Sequence, residues 1–98
     1  MTYHTVPQHV IDSTVVNSGL CEKLRVKMEA ALKIVEDIED TADHLDRTGY
    51  HASASQLIAK SQYRYDEYHR LRECYEAEAL RFRNAEMRLN REVKFSKA

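Results

Sequence analysis

The stretch CEKLRVKMEAALKIVEDIEDTADHL, residues 21–45, decides the fold. Its apolar side chains recur at Cys21, Leu24, Met28, Ala31, Val35, Ile38, Ala42 and Leu45, in alternating steps of three and four without a miss. That spacing places all eight on one stripe of an α-helix, the a and d positions of a heptad seam. Upstream, the Ser18 hydroxyl can accept from the orphan amides of a first turn, with Glu22 near the positive end of the dipole. Downstream, Arg47, Thr48 and Gly49 read as a helix end, because Gly takes the left-handed conformation that closes a helix. These signals predict a first helix over residues 19–48.

Beyond a turn at 49–53, Ser53 and Gln56 have capping-box spacing ahead of Leu57 and Ile58. No Gly or Pro follows before the C-terminus. A second helix is therefore expected over 54–94, about 60 Å at 1.5 Å per residue. Its seam reads Ala54, Ile58, Ser61, Tyr65, Tyr68, Arg72, Tyr75, Ala79, Phe82, Glu86, Leu89 and Val93, with Ser61, Arg72 and Glu86 as polar exceptions. The short connection makes the two helices antiparallel neighbours, an αα-hairpin. A turn centred near residues 51 and 52 sets Val35 opposite Tyr68, Ile38 opposite Tyr65, Met28 opposite Tyr75 and Cys21 opposite Phe82. Large thus meets small or flexible, as close packing requires.

This register gives QYRYDEYHRLRECYEAEALRFR, residues 62–83, its reading. The run looks at first like a base-stacking platform, yet Tyr65, Tyr68, Tyr75 and Phe82 occupy seam positions and only Tyr63 falls off them.

The composition agrees with an all-α chain. Of 98 residues, 43% are hydrophobic and 32% charged, with two Gly and one Pro, too few turn residues for a many-stranded fold. One domain, 1–98, is expected. Residues 1–18 form an arm or a short helix starting near Pro7, and Val10, Ile11, Val15 and Val16 are available to fold over the end of helix 2. The N-terminus lacks a basic and apolar leader and no run of 18 apolar residues occurs, so the expected location is cytoplasmic, without membrane.

One flank of the hairpin is more apolar than a two-helix seam needs. It carries Leu20, Ile34, Leu57, Leu71 and Ala85, a ridge expected to be covered by a second copy in a homodimeric bundle or by a larger protein. Residues 36–46 hold Glu36, Asp37, Glu39, Asp40, Asp43 and Asp46 with no Lys or Arg among them, an acidic partner patch or a solvated face. Residues 81–98 hold six bases against two acids. Arg81, Arg83, Arg88 and Arg91, with Tyr63, are the residues a nucleic-acid-binding bundle would use. Net charge is −1, so the whole chain has no electrostatic preference for polyanions.

No glycine-rich phosphate loop, nucleophile elbow or HExxH motif occurs, and a narrow hairpin offers little concavity, so no catalytic residue and no cofactor are assigned and the chain is read as a non-enzyme. Acid and histidine pairs at helical spacing, Asp40 with His44 and His69 with Glu73, lack the further ligands a metal centre needs. Cys21 and Cys74 stand apart without a CxxC pattern and read as free, largely buried thiols.

In architecture such a hairpin resembles the small helical-hairpin accessory proteins of plasmids and bacteriophages, whose best-known member dimerises into a four-helix bundle and binds RNA. The likeness is one of shape, and no motif residue is carried over from it. The function expected first is an adaptor or inhibitor of a larger protein, of the phage or mobile-element accessory kind that acts on a host factor. A nucleic-acid-binding dimeric bundle is the alternative, and a structural subunit that folds on a heterologous partner the third.

Overall fold

The computed structural model describes residues 5–97, with side chains described to residue 95; the first four residues of the expected arm lie outside it. Three α-helices make up the fold: α1 (Gln8–Arg47), α2 (His51–Lys60) and α3 (Gln62–Lys97). The long α1 and α3 pack antiparallel, with α2 between them in the chain. By internal contacts the chain divides into two units. One joins the residues up to Leu24 with those from Cys74 onward, and the other is Arg25–Glu73.

Helix α1 begins eleven residues earlier than the sequence predicts. The carbonyl of Pro7 accepts from the amides of Val10 at 3.0 Å and Ile11 at 3.3 Å, so Pro7 starts the helix and no separate arm precedes Ser18 among the described residues. Poor helix formers in this segment are accommodated by local bonds. Thr14 donates its hydroxyl to the Val10 carbonyl at 2.9 Å, and Asn17 donates its amide to the Ser13 carbonyl at 2.8 Å. Each polar side chain is thereby satisfied one turn back instead of competing with the helix. The buried stripe then continues upstream in the same three-and-four steps, through Asn17, Thr14 and Val10 to Pro7. Thr14 and Asn17 are polar, which is why the seam is not visible there in the sequence.

The close of α1 matches its sequence signal. Tyr50 donates its amide to the Leu45 carbonyl at 2.8 Å and Gly49 to the Asp46 carbonyl at 3.2 Å. With Gly49 at φ +94°, these bonds form a Schellman motif. Helix α2 follows at once. The Tyr50 carbonyl accepts from Ala54 at 3.0 Å, and the helix starts at His51 rather than behind an N-cap at Ser53. The Schellman turn delivers the chain in helical register, so the Ser53 and Gln56 pattern is bypassed.

The expected single second helix is interrupted at Ser61. Its backbone, at φ −99° and ψ 7°, leaves helical geometry, and its amide is shared between the carbonyls of Leu57 and Ile58. Ser61 is itself buried, with Ala54 and Ala42 the other small buried residues of this end. Small side chains there allow close backbone approach, and the break re-aims α3.

The eight seam positions of residues 21–45 are all buried or half-buried. Helix α3 keeps the expected column of Tyr68, Tyr75, Phe82 and Leu89 half-buried but turns its flank. Arg72 and Glu86, assigned to the seam, are exposed, whereas Leu71 is half-buried and Ala85 buried. Burying Leu71 and Ala85 in place of two charged side chains is the cheaper choice. Glu78 lies midway between them in sequence, seven residues from each, and is carried inside with them at 4% exposure. Near the turn, Tyr65 lies beside Glu39, the neighbour of Ile38. At the far end the Thr14 hydroxyl reaches the Ala85 carbonyl at 3.4 Å.

Candidate functional site

The unit Arg25–Glu73 carries the best-formed concavity, a groove of about 470 Å³ between α1 and α3. Its floor is Ala30, Ala31, Ile34 and Leu71, and its rim is Lys27, Arg64, Glu67 and Arg70. Three cations and one carboxylate leave the rim positive. Arg64 stands 3.9 Å from Glu67 and lies over the Tyr63 ring at 5.0 Å. Within the floor, Ile34 remains 38% exposed.

The five ridge residues therefore part company. Ile34 and Leu71 line this groove, and Leu57 is half-buried in the same unit. Leu20, in the other unit, is 44% exposed. Ala85 is covered within its own unit, so it has little surface left to offer a partner.

The acidic run is a solvated face with its own cations. Lys33 donates to Asp37 at 3.0 Å, Arg47 pairs with Asp43, and the His51 ring meets Asp46. The hydrogen bond that Lys33 donates to Asp37, with the same carboxylate's charge, raises the Lys33 ammonium above its ordinary value. The cations that meet this run are Lys33 and Arg47. Burial, then the neighbouring Glu39 carboxylate, pushes the Tyr65 hydroxyl up.

The nucleic-acid candidates do not gather. Tyr63 is exposed but belongs to the groove unit, with the Arg64 guanidinium over its ring. Arg81 donates to Glu78 Oε2 at 2.6 Å. Arg83, Arg88 and Arg91 are exposed, and Arg88 and Arg91 flank Glu92 and Phe95 in a shallow pocket of the other unit. The sequence gives no sign of Glu78 as notable, since its burial depends on how α3 is turned. Its Oε1 has no hydrogen-bond partner.

The cysteines also need revision. Cys21 is half-buried, but Cys74 is exposed, because it lies off the buried column of α3. Among the described residues no group of three or more His, Cys, Asp or Glu side chains converges on a metal position. No helix among them is long and apolar enough to cross a membrane. Comparison with protein-family models, with curated proteins and with solved structures found no match.

Proposed function

We propose that this chain is a small non-enzymatic interaction module, a helical hairpin that acts as an adaptor or inhibitor by packing against a larger protein. One observation carries the reading: the buried apolar side chains are small, and several large apolar side chains are left exposed. The buried apolar residues are Val10, Ala31, Val35, Ala42, Ala54 and Ala85, four of them alanine. Val15, Val16, Leu80, Met87 and Phe95 are all more than half exposed. A core of alanines and valines supplies little hydrophobic stabilisation at about 25 cal/mol per Å². Small domains in that position commonly draw the remainder from oligomerisation or a partner.

The test is capture. The full chain, immobilised, should retain a discrete protein from a lysate of its source, and the double variant Leu80→Glu with Met87→Glu should lose or keep that protein according to which face is used. Retention of nothing, together with a monomer that sediments alone at tens of micromolar, overturns the reading. A dimer at that concentration would instead make a second copy the partner and support the bundle.

Nucleic-acid binding is kept as a second reading because Arg88 and Arg91 stand beside Phe95, a cation and aromatic combination suited to single strands. Salt-independent failure to retain mixed RNA and DNA at low ionic strength removes it.

A further inference from the structure

We propose that the groove of the Arg25–Glu73 unit is a docking site for an acidic amphipathic helix of another protein, a proposal that rests on the interaction-module reading. The groove is built for a peptide rather than a small anion. Its floor is hydrocarbon from Ala30, Ala31, Ile34 and Leu71, so a bare phosphate would find nothing there to replace water. It runs between two helices, with Lys27, Ala30 and Ile34 spaced along α1 and Arg64, Glu67 and Leu71 along α3, about two turns on each. The described residues form helices and no strand, so they offer no sheet edge for an extended peptide. A third helix laid in the groove covers the floor and presents i, i+3 and i+7 anchors to it.

Charge selects the occupant. Lys27 and Arg70 stand on the rim, and Arg64 is held from Glu67 at 3.9 Å, longer than a well-made ion pair. A helix flanked by Glu or Asp meets these cations. A second copy applied about a two-fold axis would bring this net-positive rim against the same net-positive rim, and like charges at an interface act against association. The hydrocarbon floor likewise argues against nucleic acid, which is held mainly by its phosphates.

The test uses the full chain and three probes: a fluorescein-labelled 18-residue peptide with leucines at i, i+3 and i+7 and flanking glutamates, the same peptide with lysines for glutamates, and a single-stranded RNA of 20 nucleotides. Fluorescence anisotropy should give micromolar binding of the acidic peptide and at least tenfold weaker binding of the other two. Ile34→Glu should weaken the acidic peptide at least tenfold, while Leu20→Glu, in the other unit, should leave it unchanged. The double variant Lys27→Glu with Arg70→Glu should reverse the preference toward the lysine peptide, an outcome that loss of folding cannot imitate. Equal binding of both peptides, tighter binding of RNA, indifference to Ile34→Glu, or a dimer that Ile34→Glu dissociates would each overturn the groove assignment. If lysate capture persists in the Ile34→Glu variant, the groove is wrong and the interaction module stands; if capture never occurs, both fall.

Discussion

The two units solve the same packing problem with different materials. The Arg25–Glu73 unit holds Ala31, Val35, Ala42, Ala54 and Ser61 in its interior, and a Schellman turn at Gly49 joins its helices. The other unit, residues up to Leu24 with those from Cys74, buries Val10, Ala85 and the carboxylate of Glu78. It also leaves Val15, Val16, Leu20, Leu80, Met87 and Phe95 exposed, against Val26, Ile34, Tyr50 and Tyr63 in the first. Small residues beside a tight turn close on themselves. A polar seam without a turn keeps its large apolar side chains on the outside, where a partner can use them.

The difference is sharpest under a charge. Ala42→Glu places a carboxylate at a position only 8% exposed and should cost about 3 kcal/mol. Val16→Glu, at a position 58% exposed in the other unit, should cost no more than about 0.5 kcal/mol. Urea denaturation followed by circular dichroism compares them. Similar losses at the two sites would mean the units are equally closed.

Next comes Glu78, whose Oε1 is buried without a partner. Glu78→Met removes the desolvated carboxylate and should stabilise the chain by about 1–3 kcal/mol, because an apolar replacement of a buried ion pair is commonly neutral or better. Arg81→Ala should destabilise by about 1–3 kcal/mol, since it takes away the single donor at 2.6 Å and leaves both oxygens unpaired. A destabilised Glu78→Met chain would show that the carboxylate has a role in the fold.

The glycines set the units apart in sign. Gly49→Ala forces an L side chain to φ +94° and should cost about 1–2 kcal/mol. Gly19 sits inside α1 with nothing within 4 Å of an added Cβ, so Gly19→Ala should stabilise by about 0.5–1 kcal/mol. Thermal melts of both variants read the contrast directly.

The smallest effect is a pH dependence confined to the groove unit. Burial and Glu39 raise the Tyr65 hydroxyl in the folded chain, so folding favours its neutral form. That contribution is fully present below the unfolded phenol value near 10 and is lost as pH rises through the higher folded value. Tyr65→Phe should flatten the alkaline decline in stability, which urea denaturation between about pH 8 and pH 11 reads.

The reading from sequence succeeds where one residue type settles one feature. Gly49 ends α1 because only glycine reaches its φ cheaply, and the stripe from Cys21 to Leu45 admits one helix face. It fails where two choices are locally similar. At Thr14 and Asn17 the seam runs through polar side chains, and their back-bonds to Val10 and Ser13 appear only when the helix exists. On α3, the columns through Arg72 and Glu86 or through Leu71 and Ala85 flank the same row of tyrosines, and local spacing does not choose between them. The candidate groove was half legible for that reason: Ile34 and Leu71 stand out as apolar on one flank, but their junction with Glu67 and Arg70 depends on the register of α3.

The sequence by itself determined that the chain is helical, that α1 closes at Gly49, and which stripe of α1 turns inward, because periodicity and backbone conformation are local properties. Tertiary structure alone decided the rotation of α3, the burial of Glu78, and the parting of the apolar ridge into covered and exposed residues. Those follow from which side chains can share one interior, and that competition is settled only when both helices are in place.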